Sequence, residues 1–314
     1  MTASTATTPT APTPAAPAAR RRTTERGREE RRLGWLLCTP AVVVMLAVTA
    51  YPIGYAIWLS LQRYDLRLPG QHAFVGVQNY ITVVTSSLWW QDFLATVVIT
   101  VASVALELAL GMGLALFMHR AVFGRRTVRT SILIPYGIIT VVAAFAWAFA
   151  FTPDLGFVNS WFHSNQAWLT KRGTSFLVIT LTEMWKTTPF MSLLLLAGLA
   201  IVPEELLEAA KVDGATAWQR FYKVTLPTMR AAVLVALLFR TMDAFRIFDT
   251  VFIETKGANK TETLSFLGYN QLINRVNLGV GSAVSVLLFL CVILIAVLFV
   301  KGFNADLGQV RGEG

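Results

Sequence analysis

The sequence predicts an all-α polytopic membrane protein with six transmembrane helices. Hydrophobic residues make up 55% of the 314 residues, charged residues only 14%, and the mean hydropathy is +0.57. The apolar residues come in long runs, without the regular spacing that marks half-buried strands and surface helices. Because a backbone in lipid must satisfy its own hydrogen bonds, such runs indicate helices, whereas barrel strands would be alternating segments of about 10 residues.

Six apolar runs are long enough to cross a hydrocarbon core of about 30 Å, which takes about 20 helical residues. In chain order they are Leu33–Leu61, Phe93–Met118, Ser131–Phe151, Phe176–Ile201, Ala231–Ile253 and Val276–Val300. The first, third and sixth runs contain no charged residue. We therefore expect a disordered basic tail at 1–32, a membrane domain at 33–301 and a second tail at 302–314.

The distribution of the 27 Lys and Arg residues predicts the orientation, because cytoplasmic loops retain positive charge. Most of them flank the runs on one side, at Arg20, Arg21, Arg22, Arg26, Arg28, Arg31, Arg32, Arg120, Arg125, Arg126, Arg129, Lys211, Arg220, Lys223, Arg230, Lys301 and Arg311. Both termini are therefore expected in the cytoplasm, with the chain in a bacterial inner membrane. This topology also accounts for the net charge of +9 without a nucleic-acid partner.

A polar, amphipathic segment separates the fourth and fifth runs. Its sequence, EELLEAAKVDGATAWQRFYKVTLP at 204–227, is too short and too polar to cross a bilayer. We predict two short helices within 203–222, with Pro203 at the first helical position, a turn at Gly214, and Asp213 as the cap of the second helix. Amphipathicity alone leaves two interpretations open, a helix that lies on the lipid surface and one that docks on a partner.

The order of residues in this segment carries a family resemblance. The pattern is Glu208, Ala209, Ala210, Asp213, Gly214 and Ala215, followed by Leu226 and Pro227. It resembles the EAA loop of the permease subunits of binding-protein-dependent ABC importers. FVGVQNY at 74–80 and TKGANKTETLS at 255–265 are similar to segments of the carbohydrate permeases of that family. Among these, the chain resembles the maltose- and trehalose-type permeases, and most of all the first permease subunits of actinobacterial trehalose importers.

The resemblance implies a function and a set of partners. The fold would be that of a type I ABC importer permease, which forms the path for a disaccharide, here trehalose, with a second permease subunit. A dimer of separate ATPase subunits would hold ATP and Mg²⁺, and a sugar-binding lipoprotein outside the membrane would deliver the sugar. This chain would then need no cofactor and would be no enzyme; it contains no G-x-x-x-x-G-K-[ST] motif. The residues expected to dock on the ATPase are Glu208, Ala209, Ala210, Asp213 and Gly214.

Charged residues also occur inside the predicted spans, where each costs about 3 kcal/mol unless it faces protein or water. They are Glu107, Glu183, Lys186, Arg240, Asp243, Arg246 and Asp249. Those of the fifth run recur at every third position, so that neighbours of opposite sign can neutralise each other. Two interpretations stay open: the pairs lock helices together, above all Arg246 and Asp249, or the charges line a path for a substrate.

The resemblance to the maltose permease implies sugar contacts at a defined set of positions. These are Glu183, Lys186, Thr187, Phe190, Arg240, Asp243, Ala244 and Ile247. Carboxylates would accept hydrogen bonds from pairs of sugar hydroxyls, and Lys and Arg would donate to ring and glycosidic oxygens. The aromatic ring at position 190 would stack on an apolar face of the sugar.

An ion-coupled secondary transporter is the alternative function. In it, Glu107, Glu183 and Asp243 would carry protons, and internal repeats of inverted topology would be expected; none is evident in the sequence. Cys38 and Cys291 both fall in apolar runs, so neither a disulfide nor a metal site is predicted.

Overall fold

The computed structural model describes residues 25–68, 70–120, 124–163 and 165–311. Of the two predicted tails, residues 1–24 and 312–314 lie outside the described ranges. Their inner parts are helical, because the first helix already begins at Glu25 and the last one ends only at Arg311.

The helices, numbered in chain order, are α1 Glu25–Ser60, α2 Gln78–Thr85, α3 Ser87–Arg120, α4 Arg125–Gly137, α5 Thr140–Ala150, α6 Phe157–Phe162, α7 Arg172–Leu199, α8 Glu204–Val212, α9 Ala217–Arg220, α10 Leu226–Thr228, α11 Arg230–Ala244, α12 Asp249–Glu254, α13 Leu264–Tyr269 and α14 Leu278–Arg311. Short 3-10 turns lie at Trp168–Thr170 and Ala258–Lys260, and π-helical turns at Phe221–Thr225 and Asn270–Asn274. Two short strands, β1 Gln62–Arg63 and β2 Ala73–Phe74, pair antiparallel.

The chain divides into two compact units, residues 1–54 and 55–314. The described part of the first unit is helical and belongs to α1. Its apolar side chains, Leu37, Met45 and Val48 among them, are exposed. An apolar helix surface of this extent is typical of contact with lipid or with another subunit. The second unit contains the remaining elements.

Three helices of the described chain are long and apolar enough to cross a membrane, at Arg32–Ser60, Ser87–Arg120 and Leu278–Gly302. Two bent pairs, α4 with α5 and α7 with α8, raise the number to as many as five. The architecture is therefore all-helical and polytopic, as predicted.

The third predicted span, Ser131–Phe151, is broken. α4 and α5 meet at an angle of 85°, and Ile138 between them has the extended angles φ −76° and ψ 137°. Pro135 and Gly137 at the end of α4 explain the break, because proline lacks an amide donor and both residues disfavour a continuing helix.

The fifth predicted span, Ala231–Ile253, is not one helix either, and no candidate span of the described chain covers it. α11 ends at Ala244 and α12 begins at Asp249. Glu183 of α7 accepts hydrogen bonds from Arg240 before the break and from Thr250 after it. In a straight helix these two residues would lie about 15 Å apart along the axis, too far for one carboxylate to bind both.

α3 and α7 pack closely against each other and form the centre of the second unit. A Cβ atom at Gly111 of α3 would lie 2.9 Å from Met191 Cγ of α7, so a larger residue would force Met191 to move. A core of Val104, Ala115, Met191, Leu195 and Ala236 joins α3 and α7 to α11. The three helices that carry most of the charges of the predicted spans are therefore direct neighbours.

The FVGVQNY segment anchors the end of α1 within the second unit. Asn79 is buried, and its Nδ2 donates to the carbonyl oxygens of Ser60 and Gln62, each at 2.8 Å. The Tyr80 hydroxyl lies 2.5 Å from Ser60 Oγ. At Gly279 a Cβ atom would lie 2.2 Å from Gln62 O, so the first turn of α14 can approach this loop only through a glycine.

Candidate functional site

Arg240 of α11 is the centre of a buried ion-pair cluster. Its side chain is 1% exposed, with Nε 2.5 Å from Glu107 Oε2 and Nη2 3.0 Å from Glu107 Oε1. Nη2 also lies 3.1 Å from Glu183 Oε2, and Nη1 lies 2.7 Å from Asp243 Oδ2. Buried charges are tolerated when each is paired and hydrogen-bonded in this way. Arg240, Glu107, Glu183 and Asp243, called the Arg240 cluster below, connect α3, α7 and α11.

Two hydrogen bonds between threonines and carboxylates attach α12 to α7. Thr250 Oγ1 of α12 donates to Glu183 Oε1, and Thr182 Oγ1 of α7 donates to Glu254 Oε1 at 2.6 Å. Both carboxylates are buried. Glu183 therefore uses one oxygen in the Arg240 cluster and the other to hold α12.

Lys186, one turn after Glu183, faces an aromatic pair. Its Nζ lies 5.5 Å from the centre of the Tyr136 ring, which is within the range of a cation–π contact. Tyr136 of α4 stacks on Phe190 of α7, with ring centres 5.3 Å apart and 13° between the planes. Tyr136 is 44% exposed.

The remaining predicted sugar contacts differ in exposure. Thr187, Ala244 and Ile247 are buried, and the Thr187 hydroxyl donates to the Glu183 carbonyl of its own helix at 2.6 Å. The Asp243 side chain is 65% exposed. The structure thus places three of the predicted sugar-contact residues in the Arg240 cluster. Lys186 and Phe190 both contact the ring of Tyr136.

The predicted alternation of charges along the fifth run is only half correct. Arg240 and Asp243 do pair, at i and i+3. Arg246 is exposed and its Nε donates to the Met242 carbonyl at 3.3 Å. Within the described residues neither Arg246 nor Asp249 forms a salt bridge, because the helix ends at Ala244 and the later positions no longer continue the same face.

Three residues of this site were not assigned to it from the sequence: Glu107, Tyr136 and Thr250. For Glu107 a signal was available, since a carboxylate in an apolar run needs a buried cation. The positions of Tyr136 and Thr250 depend on the breaks between α4 and α5 and between α11 and α12. Among the described residues, no three His, Cys, Asp or Glu side chains are grouped to hold a metal ion.

Residues 203–222 form the two predicted short helices, α8 and α9, and a π-helical turn and α10 follow before α11. α8 leaves α7 at 74°, and Gly214 follows it with φ +81°, the left-handed conformation that favours glycine. The predicted caps are wrong in detail. Thr216, and not Asp213, caps α9, through a capping box with Gln219, because the turn continues past Gly214. Pro203 precedes the first helical residue, Glu204.

Much of the surface of α8 and of the turn that follows it is exposed. Glu208, Ala209, Asp213 and Gly214 are exposed, Ala210 is half-buried, and no atom outside the adjoining residues lies within 4 Å of a Cβ built at Gly214. Val212 is 87% exposed, and Trp218 on α9 is also exposed. The surface combines small, acidic and apolar groups, which is typical of a helix that enters a groove of another protein.

Comparison with known proteins identifies the family. Residues 107–308 match the family of binding-protein-dependent transport system inner membrane components. The chain is 53% identical over 276 residues to the trehalose transport system permease protein SugA of Mycobacterium tuberculosis, and the match covers 88% of this chain and 90% of SugA. It is 36% identical to the trehalose/maltose transport system permease protein MalF of Thermococcus litoralis, over 87% of this chain and 94% of MalF.

A solved structure shows the same fold. It is a chain of a bacterial alginate ABC transporter in complex with an alginate pentasaccharide-bound periplasmic protein, and it superimposes with a TM-score of 0.76 over 88% of this chain and 96% of that chain. The two sequences are 19% identical, so this likeness concerns the fold alone.

These comparisons confirm the resemblance that the EAA pattern carried. The protein is a multi-pass inner-membrane protein and a non-catalytic permease component without a cofactor, which functions with a binding protein and the other parts of a transporter complex. By the match over 107–308 and the identity with two full-length permeases, the chain belongs to the inner membrane components of binding-protein-dependent transport systems.

Proposed function

We propose that this chain is the first of two permease subunits of an ATP-driven importer for trehalose. The observation that carries the proposal is the 53% identity with a trehalose permease over nearly the full length of both chains. The polar groups within the helix bundle support a sugar as the cargo, since they offer carboxylate acceptors, an ammonium donor and a stacked aromatic pair. The second permease would complete the path.

The proposed topology has six membrane crossings and both termini in the cytoplasm. The long helices α1, α3, α7 and α14 would be four of them, and the bent pair of α4 and α5 would be another. The remaining crossing would be α11 with α12, broken at 245–248. The position of the basic loops supports this orientation.

The proposed sugar path follows α7 and the two helices that pack against it, α4 and α11. Glu183, Lys186, Thr187, Phe190, Arg240, Asp243, Ala244 and Ile247 are its proposed residues, with Tyr136 added from the structure. The exposed Asp243 and the aromatic pair would meet the sugar directly, while the buried members would shape and position that face. Loops on the outer side would receive the sugar-binding lipoprotein.

The proposed drive comes from an ATPase dimer on the cytoplasmic side. The exposed residues Glu208, Ala209, Asp213 and Gly214, with Ala210 behind them, would dock in a cleft of one ATPase subunit. Closure of the dimer on ATP would then move α8, and with it the ends of α7 and α11, so that the sugar path opens outward. Hydrolysis would return it to the inward-facing state.

Uptake by proteoliposomes tests this function. The chain is purified with a second permease, an ATPase and a binding protein of the same proposed transporter, with ATP on the ATPase side and the binding protein on the other. We expect import of radiolabelled trehalose that needs both ATP and the binding protein and that persists when ion gradients are collapsed. Import driven by a proton or sodium gradient without ATP would favour the ion-coupled alternative. A complex that imports no trehalose would contradict the assignment of trehalose as the substrate.

A further inference from the structure

The hydrogen bonds of Arg240 leave it little capacity for a sugar. A guanidinium has five N–H donors. In this structure Nε and Nη2 are directed to Glu107 and Glu183, and Nη1 donates once to Asp243. One N–H of Nη1 remains, and the side chain is 1% exposed. Arg240 therefore binds mainly the three carboxylates of the Arg240 cluster.

Glu107 is the most deeply buried member of the cluster. Its side chain is 0% exposed, and both of its oxygens accept from Arg240. This two-point contact fixes the plane of the guanidinium, which a single hydrogen bond would leave free to rotate. Glu107 lies on α3, whereas Arg240 and Asp243 lie on α11, so the contact also fixes one helix relative to the other.

Asp243 is the member of the cluster that a ligand can reach. Its side chain is 65% exposed, and Oδ2 is held by Arg240 Nη1 at 2.7 Å. Oδ1 forms no hydrogen bond with any described residue. A carboxylate held at one oxygen and free at the other can accept from a sugar hydroxyl in a fixed direction.

From this geometry we infer that Glu107 is a positioning residue of the sugar site. It orients the Arg240 guanidinium, and the guanidinium holds the Asp243 carboxylate towards the sugar path. Without Glu107, the guanidinium keeps only its weaker contact with Glu183 and the contact with the exposed Asp243, so both side chains rotate. This role rests on the proposed transport of a disaccharide and specifies how the site is held in place.

The test is the number of trehalose molecules imported per ATP hydrolysed, measured in proteoliposomes of the complete complex. If the site cannot hold the sugar after its release from the binding protein, ATP is consumed without import. We expect Glu107→Gln, which keeps the size of the side chain, to lower this ratio by about tenfold. Asp243→Asn should lower it to a similar extent, and the double variant should be no worse than the poorer single variant, because both act on the same carboxylate.

Glu254→Gln is the matched control. Glu254 is equally a buried carboxylate within the bundle, but it is bound by Thr182 and has no contact with Arg240. We expect this variant to keep the ratio of the unmodified complex. An unchanged ratio in Glu107→Gln, or a double variant whose loss is the product of the single losses, would overturn the inference. Failure of the unmodified complex to import trehalose would instead refute the proposed function.

Discussion

At the scale of single residues, the structure depends on how buried charges are paired. Arg240 neutralises carboxylates from three helices, and Glu107 and Glu183 have no other cation within hydrogen-bond distance among the described residues. An ion pair inside a protein contributes little over an apolar replacement of both partners, but the loss of one partner leaves the other charge buried. The cluster is therefore more sensitive to single substitutions than to coordinated ones.

Arg240→Leu should destabilise the protein strongly. It leaves Glu107 and Glu183 buried without a cation, a loss of about 3–5 kcal/mol. We expect a clearly lower melting temperature of the purified complex and a lower yield. Arg246→Leu is the control, because Arg246 is exposed and forms no salt bridge with the described residues; a change of less than about 0.5 kcal/mol is expected there. Equal melting temperatures for the two variants would contradict this account of the cluster.

At the scale of the elements, four of the six long apolar runs are continuous helices, α1, α3, α7 and α14, and the third and fifth runs are broken. α3, α7 and α14 follow from run length, because the number of residues needed to cross a bilayer is a local property. The break in the third span had a local signal in Pro135 and Gly137. For the break in the fifth span we identify no such signal, and Glu183, which binds residues on both sides of it, lies 57 and 67 residues from Arg240 and Thr250 in the sequence.

In the candidate site too, features that depend on neighbouring residues were predictable, and contacts between residues far apart in the sequence were not. The amphipathic sequence at 203–222 predicted α8 and the turn at Gly214, because a turn of this kind needs a residue that tolerates a positive φ. The pairing of Glu107 with Arg240, 133 residues apart, could not be derived from helical spacing. Helical spacing indicates neighbours only within one helix, and it fails for Arg246 and Asp249 where the helix ends.

The anchor of the FVGVQNY segment makes a prediction at this scale. Asn79→Ala removes the donor to two carbonyl groups, those of Ser60 and Gln62, in a largely buried position. We expect a loss of about 1–3 kcal/mol, seen as a lower melting temperature and as faster proteolysis near residue 62. Asn274→Ala is the control, because Asn274 is exposed and hydrogen-bonds only to Asn270 among the described residues. Similar effects of both variants would argue against the anchor.

At the scale of the whole molecule, much of the chain's surface is apolar. Exposed side chains include those of α1, of α5 and of the outer face of α14. A water-soluble protein would not leave such surfaces uncovered, whereas lipid and a second permease would cover them. The charges of the loops then decide which side of the membrane each loop occupies.

Cysteine labelling tests the proposed orientation. In a chain with Cys38 and Cys291 replaced by serine, Lys211→Cys and Arg67→Cys each introduce one exposed thiol. A membrane-impermeant maleimide added to intact cells should label position 67, and position 211 only after the cells are opened. Labelling of position 211 in intact cells would reverse the proposed topology.

The most direct test of the central claim is a cross-link between α8 and the ATPase. In the same cysteine-free background, Val212→Cys places a thiol on the exposed side of the proposed docking surface. With a short bifunctional maleimide, we expect a cross-link to the ATPase subunit in the assembled complex and loss of trehalose import once it has formed. An ATPase that is never captured from position 212, in a complex that still imports trehalose with ATP, would contradict the claim that this segment couples hydrolysis to transport.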